Sequence, residues 1–287
     1  MTTIETLSTP QAAIDFGISN IDAVAWVDGV WRRWTRPYSQ QPDAELVRAI
    51  LAEGEVDITT LSRLAVTGGR HRLLPGRIGA CEVVGVNELP AIGRGGQALA
   101  GLTQETFATG LLVVSAGSGT AVVAARGNHY HHVTGTAVGG GTMLGLGRLL
   151  LQTVDPEEID QLAQAGNANG ADLSLADVVT GPIGSLPADA TAVNFGRLAR
   201  QDVAVSRQDL AAALVTLVGQ VIGLLAINAA RAQGIERIVV IGHMTDMPSL
   251  RRVLRLVSDY YATPIDLPAE AGYATALGAL LAANEGV

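Results

Sequence analysis

The chain has 287 residues, of which 48% are hydrophobic and 16% charged, so it can bury one large core or two smaller ones and is not a disordered chain. Its formal net charge is −8 and its 19 arginines are adjacent at most in pairs, which argues against a nucleic-acid partner. It has no lysine, and this excludes a Walker A loop and a Schiff-base lysine. The single cysteine, Cys81, excludes an internal disulfide and a cysteine-based zinc site, and we expect it in the core.

The first half of the chain predicts a meander of three strands, then a helix, two further strands and a helix that contains glycines. Asp28-Gly29 is a typical hairpin turn, and Gly68-Gly69 closes the fourth strand. The predicted elements cover residues 12–20, 23–27, 30–34, 43–53, 64–69, 79–86 and 90–103.

Two glycine-rich segments follow, at residues 115–120 and 135–147. The first lies between the apolar runs 111–114 and 121–124, which predicts a strand, a tight turn and a returning strand. Glycine lets backbone N–H groups of such a turn point at an anion, and the second segment leads into a helix whose N-terminus also favours phosphate. Either segment alone is also consistent with simple turns, but together they favour a nucleoside triphosphate or a similar polyanion as ligand.

The second half predicts helices at 156–165, 249–258 and 271–281, a mixed stretch at 174–179, a loop at 180–184 and a strand at 237–243. Ser206 and Asp209 resemble a capping box at the start of a long apolar helix. The run 210–230 is long enough for a membrane span, but it contains Gln220 and Asn228 and consists largely of small apolar residues, so we interpret it as a core helix. Residues 1–9 are polar and lack a signal peptide, and we expect a soluble cytoplasmic protein without a membrane partner.

Both halves follow the same plan. Each begins with a strand, a glycine turn and a returning strand, and each has a later strand that ends at glycine, at Gly68-Gly69 and at Gly242. This parallel predicts an α/β protein with two similar lobes, residues 1–110 and 111–287, and a cleft between them.

The order of these motifs resembles the type II pantothenate kinases of the fumble family, over nearly the whole chain. The most specific matches are the Gly-Gly-Gly-Thr of residues 139–142 and the Thr-Ala-Val-Asn-Phe-Gly of residues 191–196. The resemblance implies an actin/hexokinase-like fold, ATP and Mg²⁺ in the cleft between two actin-like lobes, and a homodimer. It also implies phosphorylation of the primary hydroxyl of pantothenate, the first step towards coenzyme A.

The resemblance assigns roles to particular residues. Glu88 corresponds to the family's catalytic carboxylate and would be the general base, although by itself it could be a solvated residue at a helix start. Asp15 corresponds to a catalytic carboxylate near Mg²⁺-bound water, and by itself it could form an Asx turn. The remaining implied contacts are Gly17, Ser19, Gly117, Ser118, Gly119, Thr120, Gly139, Gly140 and Gly141 for the nucleotide, and Thr67, Gly68 and His132 for the acceptor.

Four positions depart from the family pattern, and one of them, Ser19, replaces a threonine but keeps a hydroxyl. Ile18 replaces a glycine of the first loop, and Asp22 replaces a lysine expected near the phosphates. Asp22 could point into the cleft and weaken ATP binding, rotate away from it, or add a carboxylate on the metal side. His132 replaces an arginine on the pantothenate side, which weakens a bidentate grip on a carboxylate. The histidines of 129–132 could suggest a metal site, but strand alternation divides them between two faces and no acidic residue is adjacent.

These departures leave three hypotheses. The first is an ATP-dependent pantothenate kinase, the second a related kinase with another hydroxylated acceptor, and the third a relative that binds a nucleotide or a CoA-like ligand without transferring phosphate. An ATP-dependent activity separates the first two from the third, and a panel of acceptors separates the first from the second.

Overall fold

The computed structural model describes residues 9–38, 40–102, 110–179, 181–200 and 204–286. The predictions that concern residues 1–8, Thr103 and Thr180 lie outside these ranges.

The N-terminal half forms a mixed six-stranded sheet in the order β3-β2-β1-β4-β6-β5. Strands β1, β2 and β3 are the predicted antiparallel meander, whereas β4 runs parallel to both β1 and β6. Helix α1 begins after Asp43, whose carboxylate accepts a hydrogen bond from the N–H of Leu46. The elements are β1 (Gln11–Phe16), β2 (Asn20–Val27), β3 (Val30–Pro37), α1 (Ala44–Glu53), β4 (Arg63–Gly68), β5 (Arg77–Ile78), β6 (Cys81–Gly85) and α2 (Glu88–Leu99).

The C-terminal half forms a five-stranded sheet in the order β13-β12-β7-β8-β9, with helices around it and a short two-stranded sheet of β10 and β11. Its elements are β7 (Leu111–Ala116), β8 (Thr120–Arg126), β9 (His129–Thr136), α3 (Gly140–Leu150), α4 (Pro156–Ala165), β10 (Leu173–Ser174), α5 (Leu175–Val179), β11 (Thr191–Val193), α6 (Gly196–Arg200), α7 (Arg207–Gln233), β12 (Arg237–Ile241), α8 (Pro248–Tyr260), β13 (Ile265–Asp266) and α9 (Ala274–Glu285).

The two sheets share one plan, as the sequence predicts. Each has an antiparallel meander whose first strand also pairs in parallel with a later strand, β1 with β4 and β7 with β12. Gly68 ends β4 and Gly242 follows β12, and their φ values are +89° and +103°. A Cβ at either position would collide with the carbonyl of the last residue of the neighbouring strand, Phe16 or Ala116. Glycine is therefore required at both points, because the chain turns at the end of the strand in direct contact with the backbone of the neighbouring strand.

Helices α2 and α9 lie between the two sheets and contact both each other and the strands on either side. Gly95 of α2 and Gly278 of α9 leave no room for a Cβ, because each approaches the backbone of the other helix. A buried ion pair, Arg94 Nε to Glu285 Oε1 at 2.9 Å, also joins the two helices. The last helix of the chain therefore packs against the N-terminal sheet, and the predicted lobe boundary at residue 110 falls between α2 and β7.

Helix α7 occupies the core of the C-terminal half. It is long and apolar enough to cross a membrane, but 61% of its most apolar window is buried within the protein, among residues of the C-terminal sheet and of α4 and α8. Ser206 caps it by accepting a hydrogen bond from the N–H of Asp209 at 3.0 Å. These contacts support the interpretation of α7 as a core helix, and Cys81 is likewise fully buried.

Two helix starts differ from the predicted positions by more than one residue. Helix α2 begins at Glu88 rather than at Pro90, because a proline is tolerated in the first turn, where backbone N–H groups have no intrahelical acceptor. The predicted helix 271–281 begins with one 3₁₀ turn, Ala271–Tyr273, before α9.

Candidate active site

Three polar side chains share one face of the N-terminal sheet, near the carboxyl ends of β1 and β4. In the strand register, Asp15 of β1 is paired with Asp22 of β2 on one side and with Thr67 of β4 on the other. Directly paired residues project from the same face. The preceding residues on this face, such as Ala13 and Ala65, pack in one cluster with residues of α9. Asp15, Asp22 and Thr67 therefore lie on the face of the sheet that α9 covers.

The carboxyl of Asp15 has an unusual acidity. Burial, followed by the negative charges of Asp22 and Glu88, raises the pKa of this carboxyl to about 7, although the positive charge of His243 acts to lower the pKa. Glu88 is an exposed residue at the first position of α2. The fold thus brings the two predicted catalytic carboxylates, Asp15 and Glu88, into one electrostatic cluster, although strands β2 to β6 and helix α1 lie between them in the chain.

Asp22 belongs to the same cluster and points between the two halves of the molecule. Its side chain is buried, and its Oδ1 lies 2.8 Å from Nε2 of His243, which follows the C-terminal strand β12. The other ring nitrogen, Nδ1 of His243, lies 2.7 Å from Oδ2 of Asp246. Of the three orientations that the sequence left open for Asp22, the structure has the carboxylate directed inward and paired with this histidine.

His243 carries a strongly shifted pKa. Burial alone would lower it, but hydrogen bonds to Asp22 and Asp246 and the charges of these carboxylates outweigh burial and raise the pKa to about 10. The imidazole is therefore protonated at neutral pH. The sequence pattern does not predict His243 as a site residue, although His243 follows Gly242, the counterpart of Gly68 in the C-terminal half.

The two glycine-rich segments pack directly on each other. The N–H groups of Gly140 and Gly141, at the start of α3, donate to the carbonyls of Gly117 and Ser118 at 2.8 and 2.9 Å. A Cβ at Gly139 would lie 2.8 Å from backbone atoms of this turn, so the approach requires a glycine. These hydrogen bonds join the β7–β8 turn, residues 117–119, to the start of α3, residues 139–141, and we call the two together the composite loop.

The hydroxyl of Thr120 is engaged within this composite loop. It is buried and donates to the carbonyl of Val138 at 2.8 Å. The N–H groups of Gly140 and Gly141 and the Thr120 hydroxyl thus already have protein partners, and they build the loop.

The first loop of the chain reaches this composite loop from the N-terminal half. The hydroxyls of Ser19 and Ser118 are 2.8 Å apart and form a hydrogen bond between loops that are 99 residues apart in the chain. Gly17 leaves no room for a Cβ, which would lie 2.7 Å from the Asn20 carbonyl. Ile18 is 82% exposed and points away from the protein interior. The first loop of the chain and the composite loop therefore meet, and the hydroxyls of Ser19 and Ser118 lie between them.

The predicted acceptor residues come from both halves. Thr67 is fully buried, and its hydroxyl finds no hydrogen-bond partner among the described residues. A Cβ at Gly68 would lie 2.7 Å from Oδ1 of Asp15, so the glycine keeps space beside that carboxylate. His132 is exposed on β9 and is paired with Val123, beyond an irregularity in the register between Val122 and Val123.

The face on which His132 lies follows from its neighbours. Two positions away, Tyr130 packs against Gly93 of α2, and Val123, the partner of His132, lies in the core cluster that includes residues of α2. His132 is therefore directed to the side of the C-terminal sheet that faces α2, the helix that begins with Glu88. His131 is paired with the adjacent Ala124 and projects from the opposite face. Within the described residues, no group of three or more metal-ligating side chains has the arrangement of a metal site.

Comparison with known proteins decides the family. A profile of the Fumble family matches residues 100–282. The chain belongs to the Fumble family. It is 30% identical over 229 residues to a type II pantothenate kinase of Bacillus cereus strain G9842, a match that covers 78% of this chain and 83% of the relative. It is 31% identical over 231 residues to a type II pantothenate kinase of Oceanobacillus iheyensis, covering 78% and 84% of the two chains.

These relatives confirm the resemblance to type II pantothenate kinases and the assignment of this Fumble-family chain as a kinase. A kinase of this kind acts on a small molecule.

Solved structures confirm the fold class. An activator of the 2-hydroxyisocaproyl-CoA dehydratase from Clostridium difficile, with bound ADPNP, superposes with a TM-score of 0.65 at 15% identity and covers 96% of this chain and 95% of its own. A ROK family glucokinase from Streptomyces griseus, in complex with glucose and AMPPNP, gives a TM-score of 0.60 at 13% identity, covering 96% and 100%. The Fumble-family chain therefore has the actin/hexokinase-like fold, with two related sheets and helices between them.

Proposed function

We propose that the protein transfers the γ-phosphoryl group of ATP to the primary hydroxyl of pantothenate. The observation that carries this proposal is the placement of Asp15 and Glu88 together, opposite the composite loop that both glycine-rich segments build. The relatives of the chain, which are type II pantothenate kinases, support the same conclusion. Phosphoryl transfer depends mainly on positioning and on stabilisation of charge, and both can be supplied from the two sides of such a cleft.

The residues present fit a nucleotide with its metal ion. The hydroxyls of Ser19 and Ser118 face each other across the two loops and could exchange their mutual bond for bonds to phosphate oxygens. Gly139 and its neighbours keep side chains away from this surface. Asp15 would accept hydrogen bonds from water bound to Mg²⁺, and Mg²⁺ would offset the negative charge of the phosphates when bound.

Glu88 is the proposed general base. Its carboxylate would accept the proton of the acceptor hydroxyl while the hydroxyl oxygen bonds to the γ-phosphorus and ADP leaves with the bridging oxygen. Thr67 supports an acceptor beside it, because a fully buried hydroxyl without a protein partner is satisfied when a ligand hydrogen-bonds to it. Gly68 and His132 complete the proposed acceptor side, and a histidine holds a carboxylate through one hydrogen bond where an arginine would make two.

The deciding experiment is a coupled ADP-release assay with Mg·ATP and pantothenate, on the wild type and the Glu88→Gln variant. We expect turnover that requires pantothenate in the wild type and a loss of at least about 100-fold in kcat in the variant, since a general base contributes that much or more. Glu45→Gln, an exposed residue of α1, is the matched control and should retain full activity.

The other outcomes separate the alternatives. ATP binding by calorimetry without turnover on pantothenate would favour a different hydroxylated acceptor, to be sought with a panel of such compounds. Neither binding nor turnover would favour a relative that has lost catalysis. Full activity of Glu88→Gln would show that Glu88 is not the base.

The homodimer and the cytoplasmic location implied by the family belong to the same proposal. Analytical ultracentrifugation tests the first, with a mass near twice the monomer value of 29.6 kDa as the expected result. Fractionation of the source cells tests the second, with the protein expected in the soluble fraction.

A further inference from the structure

The proposed nucleotide site contains an electrostatic conflict. Asp15, Asp22 and Glu88 are near enough to one another to raise the pKa of Asp15, and they lie where a polyanion is to bind. A cation bound with the nucleotide can offset the charge of one carboxylate. Glu88 is exposed at the start of α2, where water screens its charge. Asp22 is different, because its side chain is buried and projects between the two halves of the protein. An unpaired charge at this position would repel phosphate strongly, since burial limits screening by water.

The side chain that meets Asp22 comes from the other half of the molecule. His243 is the first residue of a short 3₁₀ helix, His243–Asp246, that follows β12 and Gly242. Its Nε2 lies 2.8 Å from Oδ1 of Asp22, a residue 221 positions earlier in the chain. Its Nδ1 is held by Asp246 at 2.7 Å, so the ring donates from both nitrogens.

The ring of His243 is fixed in place by its packing as well as by hydrogen bonds. Tyr273 meets it edge to face, with ring centroids 5.3 Å apart and an interplanar angle of 82°. Gly272 lies directly against the ring, and a Cβ at that position would collide with its atoms. Side chains from β2 and from the segment before α9 therefore enclose one imidazole that is anchored in the C-terminal sheet.

We propose that His243 is a positioning residue for nucleotide binding: it holds Asp22 across the cleft and cancels its charge, so that the phosphates meet an ion pair instead of a buried carboxylate. This inference rests on the proposed function, because it presumes that the ligand of the cleft is a nucleoside triphosphate.

The alternative is that the pair only ties the two halves together. The two roles differ in what happens when both partners are removed. If His243 neutralises Asp22, loss of His243 is harmful because Asp22 remains charged, and removal of that charge repairs the defect. If the pair is a mechanical tie, loss of either partner breaks the tie and the double variant is no better than a single one.

The experiment is a double-mutant cycle read as the Kd of Mg·ATP by isothermal titration calorimetry without acceptor, on the full chain. We expect His243→Ala to weaken binding at least about tenfold, as is usual when one partner of a buried charge pair is removed. The Asp22→Asn/His243→Ala variant should return to within about threefold of the wild type, and Asp22→Asn alone should bind about as well as the wild type. His131→Ala, an exposed histidine of β9, is the control and should leave the Kd unchanged.

Each contrary result has a distinct meaning. A His243→Ala variant that binds Mg·ATP as the wild type does, or a double variant that is as weak as His243→Ala, overturns the inference and leaves the proposed function standing. A wild type that does not bind Mg·ATP overturns the proposed function and this inference with it. Circular dichroism establishes that each variant is folded, and where His243→Ala is not, His243→Gln keeps the hydrogen-bonding capacity without the charge and should show the same loss of affinity.

A second measurement needs no substitution. The ¹⁵N shifts of the His243 imidazole, measured by NMR at pH 8 in the absence of nucleotide, should be those of a ring protonated on both nitrogens. A neutral ring would leave Asp22 uncompensated and would overturn the inference.

Discussion

Asp15 illustrates at the level of a single side chain how a buried carboxylate costs stability. Its pKa is raised from 3.8 to about 7, chiefly by burial and then by Asp22 and Glu88. An acid with a raised pKa binds its proton more tightly in the folded state than in the unfolded state. Its effect on the free energy of unfolding is therefore smallest at low pH and becomes unfavourable as the pH rises from about 4 to about 7.

From this we predict that Asp15→Asn abolishes turnover but raises the free energy of unfolding at pH 8 by about 1 kcal/mol, because the amide carries no charge to be buried. At pH 4 the gain should vanish, because the carboxyl is then protonated in the folded protein. Urea unfolding at both pH values measures the difference. A variant less stable than the wild type at pH 8 would contradict the electrostatic explanation.

His243 has the opposite dependence on pH. Its pKa is raised from 6.5 to about 10, so its ion pairs stabilise the folded protein fully below pH 6.5, and this stabilisation declines as the pH rises towards 10. We predict that the difference in Tm between the wild type and His243→Gln is larger at pH 6.5 than at pH 10. Scanning calorimetry across this range measures the difference, and a constant one would show that the imidazole carries no charge in the folded protein.

At the scale of secondary-structure elements, the contact between α2 and α9 is the feature most sensitive to side-chain size. Gly278 of α9 lies against the carbonyl of Ala91 and the backbone of Gly95, both in α2. Backbone atoms cannot give way as a flexible side chain can. The two helices must therefore separate if a methyl group is added, and α2 carries Glu88 at its first position.

We predict that Gly278→Ala lowers the free energy of unfolding by about 2 kcal/mol or more and also reduces turnover, because the overpacked helices shift. Gly145→Ala is the matched control: Gly145 lies inside helix α3, a Cβ there would meet no atom within 4 Å, and the substitution should stabilise the protein by about 0.5–1 kcal/mol. Chemical unfolding of the two variants gives both values. Equal effects would mean that helix propensity, and not the contact between α2 and α9, governs Gly278.

At the scale of the whole molecule, the two halves are joined by contacts at two levels. Below the cleft, α2 and α9 lie between the sheets and share the buried Arg94–Glu285 pair. At the cleft itself, the links are polar: Ser19 to Ser118, and Asp22 to His243. The apolar layer is suited to act as a permanent support, and the hydroxyl link of Ser19 and Ser118 is the one that we propose is exchanged for bonds to phosphate. Residues 1–110 and 111–287 remain a prediction as lobe boundaries, since α9 belongs by its packing to the N-terminal sheet.

The sequence by itself determined the local elements and the family. Strand alternation, the caps at Asp43 and Ser206, and the glycines that end β4 and follow β12 are encoded in short stretches of chain, because they depend on backbone geometry and neighbouring side chains. The order of the motifs, above all those of residues 139–142 and 191–196, likewise sufficed to identify a kinase of the Fumble family. Of the site residues taken from the resemblance, Asp15 and Glu88 are near enough to interact electrostatically in the fold, and the roles of all of them remain predictions.

Only the tertiary structure decided what those motifs do to one another. The N–H groups of Gly140 and Gly141 build a composite loop, and Asp22 finds its counter-charge in His243, 221 residues away. No periodicity or spacing in the sequence could reveal this pair. Its strength depends on distance and burial, and both arise only when the two sheets are packed around α2 and α9.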